Sequence, residues 1–103
     1  MRKVTSQIKK AFEEGRSLKV GNTRTDGVNV FLHENKIIKR DEQGRVWATL
    51  AGWNTPTTRE RVNGITGIGF HQKNFEAMLN NRQIDSCEWF DVMAENAPAP
   101  LVF

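Results

Sequence analysis

The apolar residues of this chain change period once, and that change restricts the folds open to it. Val4, Ile8, Ala11 and Phe12 fall at i, i+4, i+7 and i+8, a single stripe at helical spacing. From Ser17 the spacing becomes two. Leu18 and Val20, then Val28, Val30 and Leu32, alternate with polar neighbours as strands do, with Phe31 on the opposite face. This pattern predicts an α+β fold, an N-terminal helix packed on a twisted antiparallel sheet. The 103 residues suit one domain. Its predicted span is 1–92, followed by a Pro/Ala-rich tail over 93–103 that is expected to be extended.

Local signals divide the chain further. A hydroxyl of Thr5 or Ser6 is placed to cap the first helix, and Gly15 to end it. Residues 21–27, polar and bounded by glycines, read as a loop. Glu34-Asn35 reads as a two-residue hairpin turn, after which Lys36-Ile37-Ile38-Lys39 pairs back. Residues 41–44 make the next reversal, and residues 45–50 form a third strand. A second hairpin is expected from residues 68–72 and 75–79, joined at Lys73-Asn74. Asn80-Asn81-Arg82 is a further turn, and residues 84–90 an edge element. The sheet therefore has about five strands.

A short helix is inserted between the two hairpins. Thr57 and Glu60 have the spacing of a capping box. Alternatively Thr55 caps and Pro56 takes the first helical position, where its missing N–H is harmless. Asn63-Gly64 is expected to stop this helix after one to two turns.

Composition excludes several functions. No apolar run approaches the roughly 20 residues of a membrane span, so no membrane partner is expected. The charged start lacks an apolar core, so no secretory signal is expected. Cys87 is the single cysteine, which rules out an internal disulfide and a cysteine-rich zinc site. A reducing cytoplasm is the natural compartment. His33 and His71 have no second ligand type at metal-binding spacing. Asp85 and Glu88 flank Cys87 and oppose the electropositive setting that a reactive thiolate needs. Residues 64–69 space their glycines like a phosphate loop but carry no Lys-Ser/Thr after them. Neither an enzyme nor a bound cofactor or metal is expected.

Binding chemistry is better represented. Residues 1–61 carry 13 Lys/Arg against 7 Asp/Glu, and residues 62–103 carry 2 against 5. A basic half of this kind can meet nucleic acid or an acidic protein surface. Trp47 and Trp53, six residues apart, would share a face of one regular strand. Asn22 and Arg24 in the first loop, with Trp53, Thr58, Arg59 and Arg61, are the candidate partner-binding residues. Tryptophan anchors interfaces or stacks on bases, and guanidinium binds phosphate or carboxylate bidentately.

Several motifs then occur in order: Gln7-Ile8 with Ala11-Phe12; Gly21-Asn22-Thr23-Arg24-Thr25-Asp26-Gly27; Leu32-His33 with Asn35-Lys36-Ile37; and Ala51-Gly52-Trp53. Next come Thr57-Thr58-Arg59-Glu60-Arg61-Val62-Asn63-Gly64-Ile65 and Phe70-His71-Gln72. The series resembles a family of small bacteriophage-encoded proteins with no assigned activity. It covers roughly residues 7 to 72, and the threonine-arginine segment is its most specific part. Position 34 is Glu where the family pattern has Gly. The resemblance implies a phage accessory protein in the cytoplasm of an infected bacterium. A host bacterial protein, bound and modulated or inhibited, is the first expected partner, and nucleic acid is the alternative. The family offers no catalytic residues to transfer. Oligomeric state is left open.

Overall fold

The computed structural model describes residues 2–96, and the change of period appears in it directly. Helix α1 (Lys3–Glu13) buries Ile8, Ala11 and Phe12 along its stripe, and Gly15 at φ 70° turns the chain out of it. The expected hydroxyl cap is absent. Arg2 holds the N-terminal position without a side-chain capping bond, while Thr5 lies inside the helix, fully buried. Its hydroxyl is engaged elsewhere, by Glu60 and Arg61.

Five strands follow as a meander: β1 (Leu18–Val20), β2 (Thr23–Thr25), β3 (Asn29–Leu32), β4 (Asn35–Arg40) and β5 (Val46–Ala48). Strand β2 lies in the segment that reads as a loop. Its inward residues are threonines, which suit a pleated surface and can bury when their hydroxyls are satisfied. Thr25 donates to the Asn29 carbonyl (2.7 Å) and accepts from the Gly27 amide (3.0 Å). Gly27 has a steric reason as well. A Cβ there would lie 2.5 Å from the Gly15 carbonyl oxygen, where the β2–β3 turn crosses the end of α1. Arg40 fastens the same junction, donating to the carbonyls of Gly27 (2.7 Å) and Phe12 (3.1 Å).

The β3–β4 turn is His33-Glu34 (φ 49° and 66°), one residue earlier than expected, so Asn35 opens β4 opposite Leu32. Pairing then slips: Val30 faces Ile38, but Phe31 faces Lys36. Ile37 is the extra residue of a β-bulge, and both Ile37 and Ile38 are buried in defiance of strict alternation.

Helix α2 (Pro56–Thr66) starts with Thr55 as cap, its hydroxyl accepting from the Thr58 amide (3.2 Å), and with Pro56 in the first turn. The Thr57–Glu60 box does not form. The helix also continues through Asn63-Gly64 for three turns and ends at Gly67 (φ 77°). Asn63 does not stop it because its amide is occupied across the fold. It accepts from the Phe70 amide (2.9 Å) and donates to the Phe70 carbonyl (2.8 Å).

Strands β6 (Phe70–Lys73), β7 (Glu76–Leu79) and β8 (Arg82–Gln83) form a separate antiparallel sheet. Its first turn is Asn74-Phe75 (φ 50° and 65°), again one residue off the expected Lys73-Asn74, and its second is Asn80-Asn81 (φ 51° and 66°). Paired positive φ values are those of the turns that match strand twist. Strand β9 (Phe90–Asp91) then returns to pair with β5, giving a six-stranded antiparallel sheet in the order β1-β2-β3-β4-β5-β9. Helix α3 (Val92–Asn96) follows, so residues 93–96 are helical where an extended tail is expected. The rest of that tail, 97–103, lies outside the described residues.

The core joins these layers. Ile8 and Phe12 from α1 and Val62 and Ile65 from α2 meet Val30, Leu32, Ile37 and Ile38 of the large sheet. Phe70 of the small sheet meets Phe90 of β9 edge-to-face, with ring centroids 5.8 Å apart. Each large side chain fully buried in this way contributes about 1.5–3 kcal/mol of transfer free energy.

Candidate functional site

The six residues singled out from sequence do not form one surface. Arg61 is buried, with 4% exposure. Its Nε donates to Thr23 Oγ1 (3.0 Å), and its Nη1 to Thr5 Oγ1 (3.2 Å) and Glu60 Oε1 (2.9 Å). The guanidinium thus ties α2 to α1 and β2 from inside and presents nothing to a partner. Thr58 is also buried, with its hydroxyl shared with Thr55 at 2.9 Å. Asn22 belongs to the edge of the same network, accepting from the Thr23 hydroxyl (2.8 Å).

The two remaining candidate arginines are half-buried and engaged. Arg24 lies over the Phe31 ring (3.9 Å) and pairs with Glu34 (2.8 Å). That hydrogen-bonded pair holds the Glu34 carboxyl below its ordinary value, the Arg24 side chain being the main cause. Arg59 donates to Asn54 Oδ1 (2.6 Å) and to Gln72 Oε1 (3.3 Å). This cluster connects the loop before α2 to strand β6.

Trp53 is differently placed. Strand β5 ends at Ala48, so Trp53 does not continue a strand with Trp47. Trp47 is half-buried and donates through Nε1 to Asp41 Oδ2 (3.0 Å). Trp53 follows a left-handed pair, Ala51 (φ 54°) and Gly52 (φ 83°), and is 56% exposed. It stands at a cleft of about 380 Å³ between the β3–β4 hairpin and the start of α2. Leu32, Ile37 and Trp53 supply the apolar walls, and His33, Asn35 and Thr57 are among the polar groups.

Sequence reasoning missed three contributors to this region. Ile37 reaches the cleft because of the bulge, and His33 because the turn lies one residue early. The third is Phe75, 90% exposed in a left-handed turn of the hairpin that Gln72 anchors to Asn54 and Arg59. A phenylalanine in a turn that favours glycine is the signal that could have drawn attention to it.

Among the described residues, no group of three or more His, Cys, Asp or Glu is placed to hold a metal ion. No helix among them is long and apolar enough to cross a membrane. Fold and site together define a small α+β protein built round a buried arginine seam, with an aromatic-walled cleft at its surface. The chain belongs to the Kyanoviridae Gp96 protein family, a bacteriophage family whose model it matches over residues 1–96. No curated protein and no solved structure matches it.

Proposed function

We propose that this chain is a non-enzymatic phage accessory protein that binds a host bacterial protein in the host cytoplasm and modulates or inhibits it. One observation carries the reading: Trp53 and Phe75 are largely exposed on two segments joined by the Asn54–Arg59–Gln72 cluster. Large rigid aromatics in the open are the residues that anchor protein interfaces; Phe75 lies in a left-handed hairpin turn and Trp53 directly follows a left-handed pair. The polar cluster between them is suited to the rim of such an interface. Nucleic-acid binding through Arg24, Arg59 and Arg61 is the weaker reading. Arg24 is paired with Glu34, Arg59 is bonded to side-chain amides and Arg61 is buried, which leaves few guanidinium donors for phosphates.

The test is affinity capture from a lysate of the bacterial host with three baits: wild type, Trp53→Ala and Phe75→Ser. The expected result is one stoichiometric protein retained by wild type at moderate salt and weakened about 30-fold or more by Trp53→Ala. A partner held equally by all three baits would sink the assignment of this surface. Recovery of nucleic acid alone, lost steeply as salt rises, would replace it with the second reading.

A further inference from the structure

The cleft beside Trp53 has a composition more specific than a general contact surface. Its floor depends on the β-bulge, since the extra residue in β4 is Ile37, which turns inward beside Ile38. Its wall is the Trp53 indole, set by the left-handed Ala51-Gly52 pair. His33, itself at φ 49°, closes one end. A β-bulge, a left-handed loop pair and a hairpin turn thus meet at one cavity.

The polar groups at the cleft divide into two sets. The Thr55 and Thr58 hydroxyls bond each other, and Thr55 also caps α2. By contrast, the Asn35 amide and the Thr57 hydroxyl make no side-chain hydrogen bond among the described residues, and both line the cavity. An asparagine amide offers a donor and an acceptor side by side, the pair that reads the edge of a heterocyclic base. No lysine, arginine or carboxylate is among the described residues lining the cleft. With Pro56 lacking an N–H and the Thr58 amide already capped, the start of α2 offers little to an anion. His33 is the one titratable side chain among the described lining residues, so a charged ligand meets no fixed opposite charge here, whereas a flat, uncharged ring with polar edges finds a stacking face and two hydrogen-bonding partners. A volume of about 380 Å³ lies at the small end of ligand cavities and suits a single nucleoside.

We propose that this cleft binds an uncharged planar heterocycle of the nucleobase or nucleoside class, stacked on Trp53 with its hydrogen-bonding edge toward Asn35 and Thr57. The inference does not rest on the protein-partner reading and can hold whether or not a host protein is captured.

The experiment titrates the full-length protein, labelled with nitrogen-15, with adenosine, guanosine, cytidine and uridine at up to millimolar concentration. At least one nucleoside is expected to bind saturably and to shift the Trp53 indole and Asn35 side-chain amide resonances. Trp53→Ala should weaken that binding about tenfold or more through loss of stacking. Asn35→Ala is the second variant, expected to weaken binding and to alter the preference among the four bases. The corresponding nucleoside monophosphate should bind within about threefold of the nucleoside, because no lysine or arginine among the described lining residues awaits its phosphate. Three results would overturn the proposal: no nucleoside shifts either resonance, Trp53→Ala binds as wild type does, or the monophosphate binds more than about tenfold tighter than the nucleoside.

Discussion

Replacing Arg61 by alanine should destabilise the protein far more than any other arginine truncation in the threonine-arginine segment. The guanidinium lies in the seam between α1, α2 and β2, donating to Thr23, Thr5 and Glu60. Its loss removes the nearer cation of the Glu60 carboxylate, leaving the more exposed Arg2 at 3.8 Å, and takes a donor from two buried hydroxyls. Breaking a buried ion pair from one side costs about 3–5 kcal/mol. The Glu60 side chain retains 23% exposure, so water recovers part of its solvation and the expected cost is at the lower end, about 3 kcal/mol. For a domain of this length that corresponds to a fall in Tm of roughly 12–24 °C. Urea unfolding followed by far-ultraviolet circular dichroism reads it as a lowered midpoint with an unchanged slope. Arg61→Lys keeps the charge but not the fork of donors and should fall between. Arg59→Ala, at a half-exposed cluster of amides, should lose less than about 1 kcal/mol. If Arg61→Ala were no more costly than Arg59→Ala, the buried seam would not be what holds α1 to α2.

Two further outcomes follow from the same geometry. Phe75→Gly should raise stability by about 1 kcal/mol, since it removes a left-handed non-glycine residue and an exposed ring, while weakening capture of a host partner. A loss of stability in denaturant melts would instead mean that the ring packs on the fold. The Asp41 carboxyl is held below its ordinary value, first by the Trp47 indole and then by the backbone amides of Arg45 and Gln43. The stability it lends is therefore complete above the usual carboxylate range and disappears as pH falls through its lowered folded value. A carbon-13 titration of Asp41, with the Trp47 indole proton as reporter, checks this. A midpoint at or above that of an unstructured aspartate would contradict it.

The parts of the fold legible in the sequence are those where the apolar period is clean. The stripe of Val4, Ile8, Ala11 and Phe12 gives α1, and the alternation of Val30 and Leu32 gives β3, though Val28 falls before the strand and is exposed. Legibility fails where polar residues go inside. Thr23 and Thr25 conceal β2 because their burial depends on partners distant in sequence, Arg61 among them. Asn63-Gly64 imitates a helix stop, but the Asn63 side chain is committed to Phe70 and Gly67 does the stopping. Both hairpin turns are displaced by one residue for a related reason. The left-handed positions hold His33-Glu34 and Asn74-Phe75, neither of which carries the glycine that normally marks such a turn. Of the candidate site, Trp53 is legible only as an aromatic of the kind that anchors interfaces or stacks on bases. The cleft was not, because a bulge and a turn from separate elements create it.

The pair of bonds from Asn63 to the Phe70 backbone has a consequence for assembly. Strand β6 is an outer strand of the small sheet, and its Phe70 N–H and C=O point away from β7. A side-chain amide has the same donor and acceptor as a peptide unit, so Asn63 occupies the place where the next strand would begin. The helix thus blunts a sheet edge at its most apolar residue, where an intruding chain would otherwise find both a template and a hydrophobic foothold. Because α2 continues past Asn63 to Thr66, its last turns guard the small sheet against growth, while its first turns border the cleft.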